Sequence, residues 1–329
     1  MIEHTVSPDA AGQRLDKYVR RALKGVPLSH LYKMFRTRKV KVNGARGKPE
    51  QLLAAGDRVE IWGDEAKLLA GPAAGTGAGT GTGAGGGRGR GARLDVLYED
   101  DDLFAVDKPA GLAAHPGTGI TGATLVELVR AHVKGADALP ATEFKPSPAH
   151  RLDRETSGVI LVAKNRRTMA ALAAMFEAKE DVQKQYLALA KGKMPKETGL
   201  IDLPLSEHEQ TARSKDRRGV NLQPARTRWK VLASMKEASL LQVLIETGRT
   251  HQIRRHLQSA GHPVAGDTRY GDFNFNRTAR TRWGLRRMFL HAWRLTLPHP
   301  VSGAILRLEA PLPPELREAL KALNLPAPA

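Results

Sequence analysis

The fold is decided by the segment AHRLDRETSGVILVAKN, residues 149–165, which joins a charged turn to an apolar run. The run from Val159 to Ala163 is continuous, as expected for a strand that is buried on both faces. The turn places Asp153 between two arginines, and cations within a few ångströms keep a carboxylate ionised. An ionised carboxylate at the mouth of a strand is suited to act as a nucleophile or a general base. The same pattern is also typical of a surface ion-pair cluster.

Strand patterns recur on both sides of this segment. An acidic turn at residues 99–102 joins two apolar runs into a predicted hairpin, and helices are predicted at 167–178 and 251–261. A further helix begins at a capping box formed by Thr124 and Glu127. Because the strands come in meandering runs, we expect an α+β fold with a mixed, mostly antiparallel central sheet. The other predicted strands are GVILVAK, KQYLALAKG, TRWKVLASM, LLQVLIETG and LHAWRLTLPHP.

The composition divides the chain into three parts. Residues 70–93 hold almost only Gly, Ala, Thr and Arg, which is typical of a flexible linker. It separates a small basic unit, residues 1–69, from a larger unit, residues 94–329. The larger unit carries the candidate chemistry and is the predicted catalytic domain.

The small unit is predicted to bind nucleic acid. The chain has 52 Lys and Arg against 34 Asp and Glu, a formal charge of +18, which favours a polyanionic partner. Two basic helices are predicted, one with Leu15, Val19 and Leu23 on its apolar side and one capped by Ser29, followed by short strands at VKVNG and GDRVEIW. A solvated basic face without a partner is the alternative. The candidate RNA-binding residues are Arg14, Lys17, Arg20, Arg21, Lys33, Arg36, Arg38, Lys39 and Lys41.

Several classes of protein are excluded or disfavoured. The chain has no cysteine, so disulfides, thiolate nucleophiles and sulfur-bound metals are impossible. No apolar run approaches the roughly 20 residues of a spanning helix, and the first ten residues lack a signal-peptide core, so we expect a cytosolic protein. His251, His256 and His262 lack the spacing of a metal site, and packing or phosphate contact is the preferred interpretation. We expect no metal and no cofactor.

Four motifs in order resemble those of the RluA family of pseudouridine synthases. HRLDRETSG is similar to the active-site motif of that family, and DKPAGLAAHPG, KQYLAL and ETGRTHQIRRHLQSAGHPVAGDTRYG are similar to three further motifs. The segment from Arg14 to about Trp62 also resembles the small S4 RNA-binding domain. The resemblance implies the pseudouridine synthase fold and an enzyme that isomerises uridines in large-subunit ribosomal RNA, without a cofactor and by default as a monomer.

Three residues acquire catalytic roles from this resemblance. Asp153 corresponds to the catalytic carboxylate. Arg254 corresponds to the arginine that pairs with it, and its planar fork predicts two-point geometry with the carboxylate. Tyr186 corresponds to the tyrosine that stacks on the uracil.

Three more residues are implied to bind substrate. Arg151 resembles the arginine that fills the space of the flipped-out nucleotide, and Leu290 corresponds to an apolar wall of the pocket. Arg249 is the second choice for the partner of Asp153. Asp107 and Lys108 are interpreted as a local ion pair of structural importance, at a position where the family more usually has Asn instead of Asp107.

Other functions fit part of the sequence. A non-catalytic RNA-binding or ribosome-assembly factor would explain the charge, although it would not need Asp153, Tyr186 and Arg254 together. A synthase acting on another structured RNA is a second alternative. A glycosidase that uses Glu155 and Asp153 as its two acids is disfavoured. The two carboxyl groups have similar surroundings, so neither would be set apart as the general acid and the other as the base.

Overall fold

A computed structural model describes most of the chain, and the linker predicted at residues 70–93 lies outside the described residues. Described are residues 1–23, 26–63, 94–115, 122–133, 135–136, 139–178, 181–206 and 222–328. They form two compact units. The first comprises the described residues of Met1–Ala92, Val133–Pro146 and Lys164–Arg167, and the second those of Arg93–His132, Ser147–Ala163 and Thr168–Ala329. Among the described residues, no helix is long and apolar enough to cross a bilayer.

The first unit packs two helices on a small sheet. Its elements are β1 (Ile2–Thr5), α1 (Leu15–Ala22), α2 (Leu28–Arg36), β2 (Val40–Val42), β3 (Ala45–Arg46) and β4 (Arg58–Ile61). The strand order is β1-β4-β2-β3, with antiparallel pairs throughout. The predicted apolar stripes are buried in the core of this unit. They comprise Leu15, Val19, Leu23, Leu31, Met34 and Phe35.

The start of α2 differs from the prediction. Ser29 was expected to cap this helix, but α2 begins one residue earlier, at Leu28, and Pro27 takes the N-cap position without a side-chain hydrogen bond. Ser29 therefore lies inside the first turn. The proline ring fixes φ near the value that the helix entrance needs, so the chain turns into the helix without a hydroxyl cap.

Asp9 joins the later segments of the first unit to its N-terminal part. Its carboxylate accepts hydrogen bonds from the backbone nitrogens of Phe144 and Arg166, both at 2.9 Å. The hydroxyl of Ser7 donates to Glu143 at 2.6 Å. Residues far apart along the chain thus belong to one compact unit.

The second unit is built on a ten-stranded sheet. Its strands are β5 (Asp95–Glu99), β6 (Leu103–Lys108), β7 (Ser147–Pro148), β8 (Ser157–Ala163), β9 (Gln183–Lys191), β10 (Thr198–Asp202), β13 (Arg226–Ser234), β14 (Ala238–Ile245), β15 (Leu290–Pro298) and β16 (Ile305–Glu309). Their order is β10-β13-β14-β9-β15-β8-β6-β5, with β16 paired to β15 and β7 to β8. Every pair is antiparallel except β8 with β15, which confirms the predicted mixed, mostly antiparallel sheet. A separate pair is formed by β11 (Leu205–Ser206) and β12 (Leu222–Gln223).

The remaining helices cover this sheet and flank the site. They are α3 (Leu125–His132), α4 (Arg166–Ala178), α5 (Gln252–Ser259), α6 (Phe273–Arg282) and α7 (Pro314–Ala322). The predicted capping box begins α3, since Glu127 Oε2 accepts a hydrogen bond from the backbone nitrogen of Thr124 at 2.7 Å. The core between sheet and helices includes Phe289, Trp293 and Leu316.

The centre of the sheet fixes the position of the site. All residues of β8 are buried, as the continuous apolar run predicted. Gly158 has a φ of +116°, and a Cβ there would lie 2.1 Å from the backbone oxygen of Ala292, so only glycine allows β8 and β15 to pair so closely. This contact places the turn before β8 beside β15. Because β15 pairs with β9, the turn also lies close to β9.

Candidate active site

A cavity of about 200 Å³ lies where the turn before β8, strand β9 and the entrance of α5 meet. The six predicted site residues all line it, although they come from four separate segments of the chain: Arg151, Asp153, Tyr186, Arg249, Arg254 and Leu290. The structure therefore brings together every residue assigned to the pocket from the sequence. The nine predicted RNA-binding residues lie in the first unit.

Asp153 is held by Arg254 through one hydrogen bond. Nη1 of the guanidinium donates to Asp153 Oδ2 at 3.1 Å, and the side chain of Asp153 is 19% exposed. The backbone oxygen of Asp153 accepts from the nitrogen of Thr156 at 3.1 Å, which closes the turn before β8. The carboxylate thus lies on the cavity wall with part of its surface accessible.

The two-point geometry that we predicted for Arg254 and Asp153 is wrong. The fork of Arg254 binds Asp267 instead, with Nε to Oδ2 at 2.6 Å and Nη2 to Oδ1 at 2.9 Å. Asp267 is buried, and its Oδ1 also accepts from the backbone nitrogens of Arg269 and Tyr270. One guanidinium therefore connects a buried carboxylate to the one in the cavity.

The electrostatics of this pair favour a charged guanidinium. Burial by itself lowers the pKa of Arg254, but its hydrogen bonds to Asp267 and Asp153 outweigh burial and raise the net pKa above the ordinary value. A cation held this firmly stabilises the ionised form of a neighbouring carboxyl group.

Tyr186 forms another wall of the cavity. It lies on β9, opposite Val243 of β14 and Ala292 of β15, and its side chain is buried. Burial, and next the nearby charge of Asp153, raise the pKa of Tyr186 above its usual value. The phenol is therefore neutral in the physiological range and presents a flat, uncharged ring.

His251 and Tyr270 extend the site, although neither was predicted from the sequence to belong to it. His251 caps α5 with a φ of +53°. Its Nε2 lies 3.7 Å from Asp153 Oδ1, and its Nδ1 is 3.1 Å from the hydroxyl of Tyr270. The ring of Tyr270 packs 5.0 Å from the guanidinium carbon of Arg254. Both residues belong to the motif from Glu246, which was the available signal.

Lys184 is a further residue of the cavity that was not predicted from the sequence. It lines the cavity on β9, and its Nζ lies 4.1 Å from the centre of the Phe176 ring. Burial lowers the pKa of Lys184 to about 8. The neighbouring His150 accepts a hydrogen bond from the nitrogen of Leu161, and burial lowers the pKa of this imidazole to about 3. Lys184 and His150 thus add to the cavity wall a lysine whose charged form is disfavoured by burial and a neutral histidine.

The substrate-binding candidates differ in exposure. Arg151 is exposed at the rim, whereas Leu290 is buried at the start of β15. The Nε of Arg249 donates to the backbone oxygen of Pro224 at 3.3 Å. Arg254 already contacts Asp153, so Arg249 is not needed as its partner.

Lys108 has a different structural role from the one predicted. It is fully buried, and its Nζ donates to the backbone oxygens of Pro109, Leu112 and Arg154 at 2.9–3.1 Å. The expected ion pair with Asp107 is not the contact that this lysine makes. Its hydrogen bonds tie the segment after β6 to the turn that carries the catalytic candidate.

The other polar groups considered from the sequence lie outside the cavity. His256 hydrogen-bonds to Thr227 Oγ1 and the backbone oxygen of Leu203, each at 2.9 Å, and His262 to the oxygen of Lys191. Packing is therefore the role of both rings.

Asp100, in the turn between β5 and β6, accepts hydrogen bonds from the Tyr98 hydroxyl and from His299. This group holds the hairpin turn to the segment after β15. Its contacts are those of a structural cluster.

Comparisons with known proteins agree with this architecture. The family described as RNA pseudouridylate synthase matches residues 102–259. The protein named ribosomal large subunit pseudouridine synthase C is 38% identical over 323 residues in Escherichia coli K12, covering 97% of this chain and 95% of the relative. The protein of the same name in Pasteurella multocida is 37% identical, and the match covers 97% of this chain and 93% of that relative.

Solved structures share the fold as well. Human RNA Pseudouridylate Synthase Domain Containing 4 superposes with a TM-score of 0.58 and 27% identity, covering 71% of this chain and 95% of that one. Human RNA Pseudouridylate Synthase Domain Containing 1 superposes with a TM-score of 0.54 and 26% identity, and the match covers 69% of this chain and 87% of that one. A match along nearly the whole length of relatives above 30% identity establishes membership: the chain belongs to the RluA-type family of RNA pseudouridine synthases, which are isomerases.

Proposed function

We propose that this protein converts specific uridines of large-subunit ribosomal RNA to pseudouridine, as a cytosolic monomer and without a cofactor. The observation that carries the proposal is the chain of contacts from buried Asp267 through Arg254 to Asp153 at the cavity wall. Asp153, Arg254 and Tyr186 line this cavity together, and all three belong to the same polypeptide chain. The choice of RNA rests on the names of the bacterial relatives.

The reaction needs no added atoms. The bond between uracil N1 and ribose C1′ breaks, the base rotates, and C5 bonds to C1′ while a proton leaves C5 and N1 gains one. A base in a helical stack cannot rotate, so it must be flipped out, at a cost of a few kcal/mol. We assign Arg151, exposed at the rim, to the vacated space and the adjacent phosphate.

The cavity supplies the surroundings for the flipped base. The neutral ring of Tyr186 offers a stacking surface, and a base stacked on an aromatic ring gains about 1–3 kcal/mol. Leu290 provides an apolar wall, and Arg249 a cation at the opening. Asp153 can attack C1′, add to the base or remove a ribose proton, and all three steps use the carboxylate that Arg254 contacts.

Replacing the carboxylate tests this assignment. Asp153→Asn keeps the size of the side chain but removes its charge, so pseudouridine formation should be lost while RNA affinity stays within a few-fold. The matched control is Glu155→Gln, an exposed carboxylate two residues away, which should keep full activity. Substantial turnover by Asp153→Asn, measured by mass spectrometry of digested RNA, would refute the role.

Mapping pseudouridines in ribosomal RNA from cells with and without the gene tests the substrate. We expect specific large-subunit sites to disappear when the gene is deleted. Identical maps would contradict this substrate and favour a synthase for another RNA or a non-catalytic binding factor.

We also propose that residues 1–69 form an S4-like RNA-binding domain ahead of a catalytic domain at 94–329. The basic candidates are suitably placed, since all are exposed except Lys41, which is half-buried and lies 5.4 Å from the Trp62 ring. Replacing Lys33 and Arg36 on α2 by Gln should weaken RNA binding and reduce its salt dependence. Unchanged binding between about 50 and 200 mM salt would contradict this interface.

A further inference from the structure

Helix α6 presents an aromatic and basic surface to solvent. Phe273 at its start is 77% exposed, and the Arg277 guanidinium carbon lies 5.9 Å from the centre of its ring. Arg280 follows on the same side, because positions i, i+4 and i+7 share one face of a helix. We call Phe273, Arg277 and Arg280 the α6 surface.

The charge on this surface is not neutralised. The sequence from Phe273 to Arg286 contains four arginines and no acidic residue. Within the part of the chain that the structure describes, Arg277 bonds to Asn274 at 3.2 Å, and neither Arg277 nor Arg280 forms an ion pair with a carboxylate. An exposed phenyl ring costs free energy that a partner would recover by covering it, and clustered guanidinium groups without counter-charges attract an anionic partner.

The residues that fix α6 also fix the catalytic carboxylate. Asn276 on α6 donates to the backbone oxygen of Asp267 and accepts from the nitrogen of Gly266, both at 2.8 Å. Asp267 binds Arg254, which binds Asp153. The first turn of α6 is therefore hydrogen-bonded to Asp267, the residue that also supports the active site.

The start of the helix is secured a second time. Asp272 caps α6 by accepting from the nitrogen of Phe275 at 2.7 Å, and its other oxygen pairs with Lys191 of β9 at 2.7 Å. A partner bound to α6 would thus be held at a fixed position relative to the cavity.

We propose that the α6 surface binds the RNA segment flanking the modified uridine. Phe273 stacks on an unpaired base of that segment, and Arg277 and Arg280 bind its phosphates. An aromatic ring followed by two arginines on the same side of a helix matches the stacking and charge of single-stranded RNA, whereas an apolar protein surface would leave both cations without acceptors. The identity of the ligand as RNA substrate rests on the proposed function.

Variants of this surface with matched controls test the proposal. The probe is a transcript of large-subunit ribosomal RNA, and the dissociation constant is measured over a range of salt. Phe273→Ala should raise it about fivefold or more. Replacing both Arg277 and Arg280 by Gln should lower the slope of log affinity against log salt by about 1.4–1.8. Ile305→Ala and Arg307→Gln, at exposed positions of β16, are the controls and should change neither value.

Turnover at saturating RNA completes the test, because it separates this proposal from the proposed function. The rate of pseudouridine formation in a single turnover should stay within twofold for the α6 variants. Affinity and salt slope equal to those of the β16 controls would overturn the proposal, and such a result would favour a protein partner for α6. Wild-type protein that binds RNA but forms no pseudouridine would overturn the proposed function instead, while the affinities still decide the role of α6.

Discussion

Burial of the Asp107 carboxyl group destabilises the folded protein, and one substitution should remove this destabilisation. It lies on β6, opposite Asp95 of β5, and its Oδ1 is buried without a hydrogen-bond partner among the described residues. Burial, and next the charge of Asp95, raise the pKa of Asp107 to about 6, against the attraction of Arg287 and Lys108. The charged form is therefore disfavoured in the folded protein, and Asp107→Asn should stabilise it.

The size and pH dependence of the effect follow from the pKa. A rise from 3.8 to about 6 corresponds to a penalty of up to about 3 kcal/mol when the carboxylate is charged. Because the folded pKa lies above the unfolded one, stability is fully present below pH 3.8 and is lost as the pH rises through about 6. Asp107→Asn should thus gain stability at pH 8 and gain almost nothing near pH 4.

Urea unfolding at a series of pH values measures this difference. The control is Asp101→Asn, because Asp101 is exposed in the turn between β5 and β6 and its charge is solvated. The stability gained by Asp107→Asn over wild type should grow as the pH rises from about 4 to 6 and stay constant above that range, and the control should show no such step. A gain that does not vary with pH, or no gain at pH 8, would refute the reasoning.

Two further substitutions test the supports of the site. Asp267→Asn should lower the free energy of unfolding by about 3–5 kcal/mol, because it breaks a buried pair, and should lower kcat more than RNA affinity. Asp202→Asn, in an exposed pair with Arg226, should cost about 1 kcal/mol or less, and equal losses for the two variants would contradict this account. Gly158→Ala should prevent folding of the large sheet, since its Cβ would lie 2.1 Å from a backbone oxygen of β15. Gly303→Ala, at a φ of +74° with no atom within 4 Å, should cost only about 1–2 kcal/mol, and soluble, folded Gly158→Ala protein would be the contrary result.

The spacing of apolar residues was sufficient to predict those elements whose structure is determined by burial alone. The apolar run of β8 predicted a strand buried on both faces, and the spacing of Leu31, Met34 and Phe35 predicted the buried side of α2. The start of α2 was misplaced, because Pro27 and Ser29 are both suited to a helix entrance and local sequence does not rank them.

Side-chain direction was beyond what sequence spacing can predict. The partners of Arg254 are 101 and 13 residues away along the chain, so its hydrogen bonds depend on the completed sheet. Lys108 illustrates the same limit. Its neighbour in sequence, Asp107, suggested an ion pair, yet its ammonium group points to three backbone oxygens that only tertiary structure brings together.

The error about Arg254 bears on the chemistry. Two-point binding to Asp153 would have occupied both oxygens of the carboxylate with strong hydrogen bonds, which lowers its basicity and its reactivity as a nucleophile. With Asp267 taking Nε and Nη2, only Nη1 reaches Asp153 Oδ2. The other oxygen, Oδ1, lies 3.7 Å from His251 Nε2, beyond hydrogen-bond distance. Oδ2 thus anchors the carboxylate to Arg254, while Oδ1 receives no hydrogen bond from this guanidinium and is the oxygen that we expect to face the substrate.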